Sequence, residues 1–199
     1  MTEAEGTYYT EERWQNWLTR LEEEEVDPEN EDSARLLLNL QDDAAIAVAK
    51  VLTDYEEGEL DEAGALEEIE RVREIVLAEC EFEDEEKLIL VDGVQTSLVC
   101  VFYAAEEYVH AGVADEATVE EYVRAAADAE ANDEVDAALS YLVQAGTRII
   151  DGDELDMGLV EDIEYGLVSE WVNGLDSLQA ALEDPEMVEE DDEDADGAA

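Results

Sequence analysis

The stretch QTSLVCVFYAA, residues 95–105, carries no charge in a chain with 61 Asp and Glu against 9 Lys and Arg. At a formal net charge of −52, ion pairing cannot neutralise the molecule, so apolar burial must hold any fold together. Leu88 to Val91 and Leu98 to Ala105 are apolar on nearly every side of a helical wheel. That pattern marks a helix buried on several faces, here from about Glu85 to Ala111. Gly112 supplies a stop, and His110 in the last turn suits the negative end of the helix dipole.

The remaining chain supplies partners for that helix. Trp14, Trp17, Leu18 and Leu21 recur at helical spacing between about Glu11 and Glu25, behind Thr10 as N-cap. A second helix is expected from Asp32 or Ser33 to roughly Glu56, with Leu37, Leu40, Ala44, Ala47, Val48, Val51 and Tyr55 on one side. Asp61 caps a third through Cys80, and amphipathic segments follow over residues 116–131 and 134–150. A last helix is predicted from about Met157 to Leu182, closed by Pro185. No alternating strand pattern interrupts this order. The expectation is an all-α fold: a single multi-helix bundle of about six to seven helices over residues 10–183. A flexible N-terminus (1–9) precedes it and a disordered acidic tail (184–199) follows.

Charge narrows the setting. Self-repulsion of this size destabilises a compact state at ordinary salt, where the Debye length is about 8 Å, and far less at 1 M, where it is about 3 Å. Together with a lysine count of two (Lys50, Lys87), this points to the cytoplasm of a salt-in halophile. Acidity is then explained by habitat and is no argument for a cationic partner. No unbroken apolar run reaches the roughly 18–20 residues of a membrane span, and MTEAEGTYYTEERW lacks the basic start and apolar core of a signal peptide. The cations are scattered, with no phosphate-tracking patch, so direct nucleic-acid binding is not expected. Cys80 and Cys100 are too few for a disulfide scaffold.

Chemistry-bearing residues are sparse. Glu107 and His110 form a Glu-x-x-His pair, which in di-iron bundles places two ligands on one helical face. Such sites need a second pair, and this chain has one histidine; a carboxylate site for Mg²⁺ or Mn²⁺ is the remaining metal option. Cys100 and His110 lie about 15 Å apart along one helix, too far for a dyad. Gly-rich phosphate loops and nucleophile elbows are absent.

Interface residues are the better candidates. Tyr8, Tyr9, Trp14 and Trp17 fall within ten residues, and Trp and Tyr anchor interfaces, although the same rings also serve to pack a helix onto a bundle. Arg148 and Trp171 lie among uncharged polar residues (Gln144, Thr147, Asn173, Gln179) that are unusual for this composition.

The segments YYTEERWQNWL, DSARLLLNLQDD, VDGVQTSLVCVFYAAEEYV, EEYVRAAADAE, QAGTRIIDGDELDM and EYGLVSEWVNGLDSLQ resemble an uncharacterised haloarchaeal family with a domain of unknown function. The resemblance runs from about Tyr8 to Pro185, implies a halophilic cytoplasmic protein, and supplies no activity, cofactor or residue role. The leading expectation is a non-enzymatic interaction or regulatory module with an unknown protein partner or a second copy of itself, and no cofactor. The alternative is a divalent-metal hydrolase acting on a nucleotide or phosphate ester.

Overall fold

The structure, a computed structural model, describes residues 8–26 and 30–184. Its helices are α1 (Glu11–Glu23), α2 (Glu31–Glu56), α3 (Glu62–Val76), α4 (Glu85–Ala111), α5 (Val119–Ala131), α6 (Val135–Ile150) and α7 (Leu167–Glu183), with a 3₁₀ helix at Met157–Asp162. The fold is all-α. The acidic tail expected over 184–199 lies outside the described residues except for Asp184.

Local chemistry sets the helix starts. The side chains of Thr10, Asp61 and Asp84 accept backbone N–H groups at the openings of α1, α3 and α4. At α5, Thr118 and Glu121 form a reciprocal capping box; these hydrogen bonds to the charged form hold the Glu121 carboxyl below its usual range. Asn30, not Asp32 or Ser33, caps α2, accepting from the Asp32 N–H at 3.0 Å. Gly58 and Gly112, at φ +78° and +82°, end α2 and α4 in a conformation other side chains adopt only with strain.

The final expected helix is broken. Residues 157–162 form a 3₁₀ turn capped by Asp156, Ile163 to Gly166 are extended or bent, and α7 begins at Leu167. The Glu130 carboxylate of α5 occupies the space beside Gly166, where a Cβ would stand 2.6 Å from its oxygen, and it accepts the Val168 N–H at 3.3 Å. A carboxylate at the positive end of α7 is favourable, and it fixes where that helix starts.

α4 is the axis, packed against α2, α3, α6 and α7. Leu98, Cys100, Val101, Phe102, Ala104 and Ala105 are fully buried, each large apolar side chain contributing about 1.5–3 kcal/mol. Two glycines let its neighbours close in. A Cβ at Gly174 of α7 would stand 2.0 Å from the Ser97 carbonyl oxygen, and one at Gly146 of α6 would stand 2.4 Å from the Ala104 Cβ. Beside the first crossing, Ser97 donates to the Gln41 amide oxygen at 2.6 Å, and the Gln41 amide donates to Ser177 Oγ at 2.9 Å and the Asn173 carbonyl at 3.2 Å. These buried polar groups from α2, α4 and α7 satisfy one another.

By length and composition α4 is apolar enough to cross a membrane, with a mean hydropathy of 1.7 in its best window. The unbroken-run criterion missed this because Asp92, Gln95, Thr96 and Ser97 interrupt the apolar residues. In the bundle, half of that window is buried among neighbouring helices.

Residues 1–7 of the expected flexible N-terminus lie outside the described residues, whereas Tyr8 and Tyr9 pack against the bundle. Tyr9 is buried, and the Tyr8 hydroxyl donates to the Asp54 carboxylate near the end of α2.

Gly174→Ala is expected to destabilise the fold by about 1–3 kcal/mol through overpacking at the α4–α7 crossing. Gly93→Ala, where an added Cβ meets nothing within 4 Å, should stabilise α4 by about 0.5–1 kcal/mol. Thermal unfolding followed by circular dichroism in molar KCl reads both; shifts of the same sign would refute the crossing argument.

Candidate functional site

A concavity of about 800 Å³ runs between α1, α2 and α7. Its back wall is built around Asp43, whose side chain is 1% exposed. Arg13 Nε lies 3.0 and 2.9 Å from the two Asp43 oxygens, a second guanidinium nitrogen also pairs with Oδ1, and Trp17 Nε1 donates to Oδ2 at 2.8 Å. One buried carboxylate therefore orients both an arginine and an indole of α1. The Tyr9 phenol lies against the same carboxylate, its pKa pushed up by burial first and by the Asp43 charge second. Arg20 sits over the Trp17 ring, 5.6 Å from its centroid, and reaches Glu24 at 3.2 Å.

From α2 the cleft receives Arg35, Asn39, Asp42 and Ile46, spaced i, i+4, i+7 and i+11 on one face. From α1 it receives Arg13, Asn16 and Arg20 at the matching i, i+3, i+7. Burial pushes the Asp42 carboxyl above its ordinary range, against a lowering hydrogen bond with Ser177 of α7. The sequence reading named Tyr8, Tyr9 and Trp17 here and missed Asn16, Arg35, Asn39 and Asp42. The signal was present as a helical stripe of Arg and Asn in a chain that otherwise places Asp or Glu on its surface.

The named residues do not act as one set. Trp14 and Trp171 are 2% and 5% exposed and belong to the core, as does Tyr9. Their burial favours the packing role over the interface role, since side chains covered by the bundle offer little surface to a partner. The Trp14 indole lies beside Cys80, and the buried Trp171 N–H finds no acceptor among the described residues. Tyr8 and Trp17 are partly exposed at the cleft. Arg148 stands in the last turn of α6, paired with Asp153 at 2.6 Å and donating to the Ala114 carbonyl at 2.9 Å, so it ties loops together. Thr147 and Gln179 likewise satisfy loop backbone at Ala114 and Leu155.

A second, shallower groove of about 640 Å³ lies over α4 between α3 and α6, and it contains Glu107 and His110. His110 is exposed, with Nδ1 3.5 Å from Glu62 Oε1. Arg73 pairs with Glu106 and lies 5.9 Å from the Tyr103 ring centroid; the Glu106 carboxyl is pushed up by burial against the lowering effect of Arg73. Among the described residues no three His, Cys, Asp or Glu side chains are gathered to hold a metal ion. The expected Glu107–His110 pair is therefore not part of any such group, although Glu62 approaches His110 from α3. Cys100 is fully buried and its thiol is pushed well up by that burial, as an inert core residue requires.

The raised carboxyls have a stability consequence. Asp42, Asp176 and Glu106 hold protons more tightly in the folded state than in the unfolded chain. The stability they contribute is full below their unfolded pKa values and is lost as pH rises through the folded ones. Mild acidification, into the region just above the ordinary carboxylate range, should therefore raise the melting temperature at fixed KCl. Asp42→Asn should flatten that rise; a melting temperature that falls steadily from neutrality would contradict it. Separately, Asp43→Ala is expected to cost about 1–3 kcal/mol by leaving Arg13 and Trp17 without their acceptor, read by denaturant unfolding.

No curated protein and no solved structure matches the chain. A protein family does, over residues 7–191, and it includes both the cleft and the bundle that frames it. The chain belongs to the family described as uncharacterized protein conserved in archaea (DUF2150).

Proposed function

We propose that this protein is a non-enzymatic interaction module of a salt-rich archaeal cytoplasm, taking a protein partner in the cleft between α1, α2 and α7. The observation that carries this reading is the Asp43 node. A buried carboxylate fixes Arg13 and Trp17 in place, so an aromatic face and a row of donors are held ready at low entropic cost. The walls combine the apolar face of Trp17 with polar groups at regular helical spacing, which suits recognition. The residues in the cleft include no histidine or cysteine, and the fold's one His and buried Cys are placed elsewhere.

A photo-crosslinking residue at Asn39, with Glu116 as a remote exposed control, tests this in a high-salt lysate. The expected result is a discrete protein adduct at position 39 that is absent at 116, identified by mass spectrometry. Its yield should fall about tenfold in Trp17→Ala, as for a central aromatic anchor. Identical adduct patterns at the two positions, or no adduct at 39, would overturn the reading.

A further inference from the structure

Cations are rare in this chain, and their partners separate one of them from the rest. Arg13 binds Asp43, Arg73 binds Glu106, and Arg148 binds Asp153. Lys87 donates to the Glu22 and Glu24 carbonyls at 2.7 and 2.8 Å, at the end of α1. Arg20, Arg71 and Arg124 pair with Glu24, Glu67 and Glu68, and Glu120 along their own helices, and Lys50 is also engaged. Among the described residues Arg35 alone makes no hydrogen bond or ion pair, although 61 carboxylates are available to a chain with nine cations. It is exposed and lines the cleft.

Three of the nine cations, Arg13, Arg20 and Arg35, line this one concavity, against three lining acids, Glu12, Asp42 and Asp184. With Asp43 behind Arg13, the cleft is close to balanced in charge, whereas the whole chain is overwhelmingly anionic. The described lining residues thus repel an anion less than the chain's overall charge implies, and Asn16 and Asn39 add neutral donors beside the arginines.

We propose that the cleft binds an acidic segment of a partner protein, whose carboxylates pair with Arg35 and Arg20 while their aliphatic stems lie on Trp17. This deepens the interaction reading above and rests on it. Size favours a peptide over a lone phosphate. Arg35 to Ile46 spans about 16 Å of helix at 1.5 Å per residue, and a trough of about 800 Å³ is far larger than one small anion. Arginine suits the task because its planar fork takes a carboxylate bidentately.

The test uses the full chain in molar KCl, where a Debye length of about 3 Å screens the long-range repulsion but leaves contact pairs. The probe is a short, acetylated, glutamate-rich peptide, read by tryptophan fluorescence. Saturable binding is expected, with the signal lost in Trp17→Phe and affinity reduced about tenfold in Arg35→Ala, as for one charge-assisted hydrogen-bonded pair. Far-ultraviolet circular dichroism confirms that both variants fold, since Arg35 is exposed and unpaired. Absence of saturable binding overturns the proposal, as does an unchanged affinity in Arg35→Ala. Equal binding of a lysine-rich peptide, or displacement by inorganic phosphate at comparable concentration, does so as well. If an adduct forms at Asn39 while the glutamate-rich peptide fails to bind, the interaction reading stands and only its acidic chemistry falls. If the peptide binds at Arg35 and no adduct forms, the interaction reading falls and the assignment to a partner protein falls with it.

Discussion

Where α7 crosses α4, the Gly174 backbone rests against the Ser97 carbonyl so closely that a single added Cβ would lie 2.0 Å from the oxygen. The rest of the bundle depends on that contact and its counterpart at Gly146 and Ala104. They let two helices seat directly on the uncharged helix, with backbone and small side chains filling the space that larger residues would hold open. The Gln41, Ser97 and Ser177 hydrogen bonds beside the crossing then specify register, since a slip of one residue would leave three buried polar groups unpaired. With apolar packing concentrated on one axis, the outer faces are left to carboxylates.

Electrostatics plays a directed part in this arrangement. A net charge of −52 cannot be cancelled by nine cations, and several of them stand at junctions between elements. Arg13 joins α1 to α2, Arg73 joins α3 to α4, and Lys87 of α4 covers the carbonyls that end α1, where a positive group complements the helix dipole. The half-exposed pairs contribute modestly to stability, and their geometry matters more for orientation. At Asp43 that orientation becomes a site: the carboxylate that anchors α1 also fixes the Trp17 ring at the mouth of the cleft. The stability of the N-terminal helix and the shape of the candidate binding surface are therefore one property.

Much of the fold was legible because hydrophobic periodicity is a local signal. The limits of α4, the caps at Thr10 and Asp61, and the stop at Gly112 follow from neighbouring residues alone. The last helix was misread because its break depends on Glu130, a residue of another helix that occupies the α7 N-terminus. The candidate site was half legible. Tyr8, Tyr9, Trp14 and Trp17 drew attention as a cluster, but composition cannot say which of four neighbouring rings turns inward. The Arg35–Asn39–Asp42 stripe passed unnoticed because its meaning comes from lying opposite α1.

The sequence by itself determined that this chain is an all-helical bundle centred on residues 85–111, since so acidic a molecule can be held only where charge is absent. It also set the family, because that resemblance is spread along nearly the whole chain. Tertiary structure decided the rest. It turned Trp14 and Trp171 into core and left Glu107 and His110 outside any metal-holding group among the described residues. It also brought three arginines from two helices to one cleft. The physical reason is that helix formation is read over a few neighbouring residues, whereas a site requires groups far apart in sequence to meet in space.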